Sequence, residues 1–146
     1  MATSALPALK AGLKTLLDAQ AGLSGVLVSY GWPKDPRREI VVLGDAEITQ
    51  AYRGIGAAIQ SPQPAKLEEI DLTLLVSVVG ETTAQQATTE RALTLLGHVE
   101  TAIRTDPQVG GAVEVAQLSR YRVEELVNDT AREARITAVV SATAYI

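Results

Sequence analysis

Residues 66–79 alternate so regularly that they decide the kind of fold available to the chain. Ile70, Leu72, Leu74, Val76 and Val78 fall on one side, and Glu69, Asp71, Thr73 and Ser77 on the other. A period of two means a half-buried strand. At about 3.3 Å per residue it spans about 45 Å, more than twice the usual strand length. Two readings follow: the strand overhangs an ordinary core and reaches a neighbouring subunit, or a bulge or bend splits it.

The other elements are placed around this strand. Leu6, Leu9, Leu13, Leu16 and Leu17 recur at helical spacing, which predicts a helix over residues 5–19 with Ser4 as its cap, Pro7 in the first turn and Gly22 as its stop. Gly12 inside that helix costs about 1 kcal/mol relative to Ala, so it marks close packing or is merely tolerated. Short strands at 26–30 and 39–43 flank Gly31-Trp32-Pro33-Lys34-Asp35-Pro36, and Gly44-Asp45 reads as a turn. A weaker strand from 47 to about 55 is loosened by Gly54 and Gly56, and Ser61-Pro62-Gln63-Pro64 breaks the chain again.

After Gly80, Thr82-Thr83 with Gln85-Gln86 offers a capping box for a second helix. Ala92, Leu96, Val99 and Ile103 form its apolar face, and it ends at Asp106-Pro107. Strands at about 112–126 and 132–146 flank the hairpin signal Asn128-Asp129. In the second of them Ile136, Ala138, Val140, Ala142, Ala144 and Ile146 share a face, so the C-terminus is expected to be tied into the sheet. The order α-β-β-β-β-α-β-β predicts an α/β (α+β) fold. It is a mainly antiparallel sheet of about five to six strands with two helices packed on it, in a single domain over residues 1–146.

Composition narrows the function. With one Trp, four Tyr and no Phe, the core is built from Leu, Val, Ile and Ala, and its thin layers are expected to gain stability from neighbouring subunits. The absence of cysteine excludes disulfides and thiolate metal sites. No apolar run approaches the roughly 20 residues that span a bilayer, and Lys10 and Lys14 interrupt the N-terminal Leu pattern, so neither membrane insertion nor a cleaved signal is expected. The net charge of −4 lies wholly within residues 39–71, where six acids face two bases. Such a chain should not hold phosphate backbones non-specifically, because that binding runs on Lys and Arg.

Searching for reaction chemistry assigns no catalytic, cofactor-binding or metal-ligating residue. His98 is the only histidine and has no cysteine to work with, so it reads as a partly exposed helix residue. Gly54-Ile55-Gly56 lacks the third glycine of a dinucleotide loop, and Gly110-Gly111 opens a strand rather than a helix. Glu68-Glu69-Ile70-Asp71 has carboxylates suited to a hard cation, but Glu68 points away from the face shared by Glu69 and Asp71, so a solvated edge is the default. Arg37-Arg38 and Arg120/Arg122 read as ordinary surface or cross-strand charges. Trp32, the only Trp, stands in a Pro-bounded loop, either as an interface anchor or as a cover for the end of the local core.

Several phrases carry a resemblance. They are the Leu-patterned first helix, Val28-Ser29-Tyr30-Gly31-Trp32-Pro33, Val41-Val42-Leu43-Gly44-Asp45 and the acidic lead into the strand at 67–79. Further along stand Thr105-Asp106-Pro107-Gln108-Val109-Gly110-Gly111 and the final hairpin. Over nearly its whole length the chain resembles the tail terminator (tail-to-head joining) proteins of long-tailed bacteriophages. Its motifs are turn and strand phrases, not catalytic signatures.

The resemblance implies a virion protein of the tail-neck region, assembled in the host cytoplasm. It would be a non-enzymatic, cofactor-free ring of six copies that caps the tail tube, ends its polymerisation and joins the tail to the head connector. Its expected partners are further copies of itself, the tail tube protein, head–tail connector proteins, and viral DNA passing through without specific binding. On that reading Trp32, Arg37 and Arg38 are expected at a subunit or partner interface, and Glu47, Glu69 and Asp71 at the channel or its rim. The alternatives are another neck or tail component, such as a head-completion protein or tube subunit, and a small α/β ligand-binding domain. The last would show a glycine-rich loop beside a helix start or a polar cluster in an apolar pocket, and neither is visible.

Overall fold

A computed structural model describes residues 3–52, 66–81, 83–127 and 130–146. The chain runs through α1 (Leu6–Asp18), a short 3-10 turn (Ala21–Leu23), β1 (Leu27–Tyr30), β2 (Glu39–Tyr52), β3 (Lys66–Gly80), α2 (Gln85–Thr105), β4 (Val115–Val127) and β5 (Arg132–Tyr145). The strands form one sheet in the order β1-β2-β3-β5-β4. All pairings are antiparallel except β1 with β2. This is the α+β class that the pattern predicts, with five strands.

The long strand is neither split nor overhanging. β3 is paired on one edge with β2 from Lys66 to Val78 and on the other with β5 from Leu67 to Gly80. Its backbone is satisfied along both sides, so it offers no free edge to a neighbour, and the overhang reading is overturned. Length instead reflects position: a central strand must match two long flanking strands. Its predicted faces hold, since Ile70, Leu72, Leu74, Val76 and Val78 are buried while Glu69 and Asp71 are exposed.

Both helices lie on that buried face. Leu9, Leu13 and Leu17 of α1 meet β1 and β2, and Leu95, Val99 and Ile103 of α2 lie over β3 and β5. β5 presents Ala134, Ala138, Ala142 and Ala144 beneath α2 with only Ile136 and Val140 between them. Small side chains let the helix approach closely, so a core without Phe still closes. The last strand is tied in as expected: Ile146 N–H donates to Lys66 O at 2.9 Å and Lys66 N–H to Ile146 O at 3.3 Å. Ile146 itself, expected on the core face, is 37% exposed.

Several local expectations are corrected. Gly44-Asp45 is a bulge between Leu43 and Ala46 within one continuous β2, not a turn, which removes the sixth strand. The β1–β2 connection returns the chain to run parallel, and residues 31–38 suffice because β1 has only four residues to span. α1 stops at Asp18, before Gly22. The capping box of α2 is not formed: its N-cap is Ala84, with no side-chain cap. The weak-strand signals at Gly54 and Gly56, the Pro62–Pro64 break and the Asn128-Asp129 hairpin signal lie outside the described residues. The strands flanking the last do pair as a hairpin, Val127 opposite Arg132.

The N-terminus of α1 is capped from a distance. Glu68 shares the core face of β3 and is 0% exposed. Its Oε1 accepts the Ala5 N–H at 2.8 Å and the Ser4 hydroxyl at 2.9 Å, while Ser4 Oγ accepts the Leu6 N–H at 3.0 Å. A carboxylate here meets both the orphan donors and the positive end of the helix dipole. Lys66 Nζ adds a bond to Thr3 O. We therefore expect Glu68→Ala to cost about 1–3 kcal/mol, because it strands a part-buried N–H and hydroxyl, and Glu68→Gln to cost less. Urea unfolding of both variants measures this.

Gly12 marks close packing. A Cβ there would lie 2.9 Å from both Val109 Cγ1 and Val109 O, and Val109 is held at φ 50 by the turn after α2. Gly12→Ala should lower the thermal midpoint even though Ala favours helix by about 1 kcal/mol. A raised midpoint would mean that the Val109 turn yields easily.

Candidate functional site

With α1 and α2 on one side, the opposite face of the sheet carries no helix. Cross-strand register defines its rows. Glu47 pairs with Asp71, Asp71 with Ser141 and Ser141 with Gln117; two rungs along, Thr49, Glu69, Thr143 and Val115 form the next row. In the other direction run Thr73, Val139 and Arg120, then Val42, Leu75, Thr137 and Arg122, then Ile40, Ser77, Arg135 and Glu124.

Charge is sorted along the strands. At one end the pattern brings together the three acids singled out in the sequence: Glu47, Glu69 and Asp71 are all exposed on this face. Glu47 and Asp71 sit directly opposite one another, an arrangement of like charges that disfavours strand pairing. Asp71 Oδ1 accepts the Ser141 hydroxyl at 2.9 Å. Arg120 lines the same hollow together with Asp45, Glu47 and Asp71, yet forms no ion pair with a described residue.

The other end is basic. Trp32, Arg37 and Arg38 stand around a cleft of about 320 Å³ whose floor is Ile40, Ser77 and Val79, with Glu133 and Arg135 on its far wall. Arg38 is fixed through its backbone, since Val79 N–H donates to Arg38 O at 2.8 Å. Arg135 is neutralised by Glu133 at 3.0 Å, and Glu133 Oε1 also accepts the Ser77 hydroxyl at 2.8 Å. Arg37 and Arg38 are exposed and make no ion pair with a described residue. Trp32 is 62% exposed. A ring left so open covers little of the local core, which weighs against the lid reading.

Elsewhere the polar groups hold the fold. Arg91 on α2 grips Glu39 at the start of β2 with two bonds, of 2.6 and 3.2 Å, and this bonding to Glu39 raises the guanidinium pKa above its ordinary value. His98 is half-buried against Gly22, where a Cβ would come within 2.3 Å of its Nδ1. Glu68 stands on the opposite face of β3 from Glu69 and Asp71, so the three cannot share a cation. No group of three or more metal-ligating side chains comes together among the described residues.

Sequence reasoning missed two features. Buried Glu68 was marked by its shared parity with Ile70. Arg120 and Arg122 carry no comparable mark, because the register shift between Leu118 and Arg120 breaks the alternation of β4.

No protein-family model matches this chain, and no curated protein matches it. Among solved structures, a chain of the virion of a native gene transfer agent (GTA) particle is similar along its entire length. The match covers 99% of this chain and 100% of that chain, with a TM-score of 0.62 and 16% sequence identity. At that identity the likeness establishes the shared fold.

Proposed function

We propose that this chain is a non-enzymatic structural subunit of a phage-like virion. It assembles into a ring, of six copies by its resemblance to tail terminators, that caps the tail tube, ends its polymerisation and joins the tail to the head connector. The observation that carries this reading is the end-to-end fold match to a chain of a virion particle, with nothing left over on either side. Among the described residues the chain is one sheet-and-helix unit, and its unpartnered surface is a broad face rather than a deep pocket.

The uncovered face supports the role physically. A ring that joins two different structures needs two unlike rims, and this face has an acidic end at Glu47, Glu69 and Asp71 and a basic end at Trp32, Arg37 and Arg38. Acids repeated around a channel repel the phosphates of passing DNA, whose tight binding would need Lys or Arg contacts. Trp32, exposed beside two arginines that make no ion pair with a described residue, has the make-up of an interface anchor.

The same polarity favours a second reading, a tube subunit, because an acidic rim would meet the basic rim of the next ring and stacking would continue. Electron microscopy of the purified protein separates the two: a terminator gives discrete rings of uniform size, a tube subunit gives filaments. Particles with neither form would overturn both. Trp32→Ala should weaken joining to a partner, with an unfolding free energy within about 0.5 kcal/mol of the wild type, as befits a surface substitution. Loss of the fold would restore the lid reading.

The acids admit a sharper test. With Glu69 and Asp71 replaced by Lys, rings should form and tails should join, while DNA delivery slows and becomes salt-sensitive. If joining fails while rings still form, the acids belong to a docking rim and not to the channel wall.

A further inference from the structure

The sheet has two open edges, and they differ. On one side β4 is the terminal strand for its full length, and apart from Ala116 N–H, which donates to Pro107 O at 2.7 Å, no described backbone group outside the sheet pairs with it. On the other side β1 covers β2 only from Ile40 to Leu43, with Gly31 N–H donating to Leu43 O. Residues 45–52 of β2 are therefore open on that edge among the described residues.

We infer that the β4 edge of one copy pairs with the open half of β2 in the next copy, so that the ring is a single continuous sheet. This rests on the self-assembly reading above and supplies its interface.

Strand direction permits it. Counting across the sheet, β2, β3, β5 and β4 alternate in direction, so β4 runs opposite to β2. Rotation about an axis along the strands preserves direction, so β4 would meet the neighbour's β2 antiparallel, the geometry of the sheet itself. All helices would then stay on one side and all uncovered faces on the other.

Charge is compatible with this contact, although Arg120 also lines the hollow of Asp45 and Glu47 in its own copy. Arg120 lies on the rung of the Gly44–Asp45 bulge, since Thr73 and Val139 link the two across the sheet. At equal height, Arg120 of one copy meets Asp45 of the next and lies one step from Glu47. Asp45 and Glu47 are exposed, and neither forms an ion pair with a described residue. Pairing β4 with itself over its full length would set Arg120 opposite Arg122, and like charges opposite one another are unfavourable. The heterologous contact, which closes into a ring, matches base to acid.

The lack of cysteine makes the test direct. Glu47→Cys and Gln117→Cys are combined in one chain and treated with a bis-maleimide shorter than the three strand spacings, about 14 Å, that separate the two sites within a copy. Native mass measurement first establishes the ring. The expected result is a covalent ladder at integer multiples of the protomer mass, ending at the ring, with each single variant remaining monomeric. An intact ring with no ladder overturns the edge pairing and leaves self-assembly standing through another surface. Dimers from Gln117→Cys alone overturn it in favour of a β4–β4 contact. Absence of any oligomer in the untreated protein removes the ring reading and this interface together.

Discussion

β3 is bonded on both edges from end to end, and the rest of the molecule takes its positions from that strand. Because side chains alternate, a slip of one residue against β2 or β5 would carry Ile70, Leu72 and Leu74 into water and bring Glu69 and Asp71 under the helices. The register is therefore strongly specified on both sides at once. The same parity delivers Glu68 to the core face at the point where α1 begins, so the helix is anchored to the strand that organises the sheet. A buried carboxylate is costly unless hydrogen-bonded. Its two bonds to the first turn of α1 make the start of that helix part of the sheet's own stability.

What was legible in the sequence was whatever local periodicity controls. The faces of β3 and β5 and the extents of both helices follow from spacing alone. Errors arose where a local signal has two tertiary outcomes. Gly44-Asp45 has turn chemistry, but a glycine beside an acid serves a bulge equally well, and only the partner strand decides; here Thr73 O lies 3.3 Å from where a Gly44 Cβ would be. The length of β3 was read as overhang because strand pairing is non-local. The role of Glu68 was hidden for the same reason: its donors, Ser4 and Ala5, are more than sixty residues away. Of the candidate site, the gathering of Glu47, Glu69 and Asp71 was readable from charge, and their cross-strand adjacency was not.

A core of Leu, Val, Ile and Ala closes under two helices because β5 contributes alanines where α2 approaches. That economy covers only one side. The other face keeps half-buried apolar residues such as Leu75 and Val139 among serines, threonines and charges, a surface that can face water or a channel without collapsing onto another protein. In the proposed ring this division separates two jobs: the helix side supplies the stability of each copy, and the uncovered side is left free to carry charge.

The proposed edge is also set before any partner arrives. Lys10 of α1 reaches over the Tyr30 ring, 4.2 Å from its centroid, and its Nζ donates to Gly44 O at 3.1 Å. The carbonyl at the bulge is thus held from within the chain, at the point where β1 ends and the open half of β2 begins. A bulge bends and twists its strand, so its fixation determines the direction in which residues 45–52 present their free backbone groups. An edge whose geometry is already fixed loses less entropy on pairing than one that must order itself. The link from α1 through Lys10 to the bulge, and from α1 through Ser4 and Ala5 to Glu68, places one helix in control of both the central strand and the edge. In the proposed ring, closure would then favour folded copies.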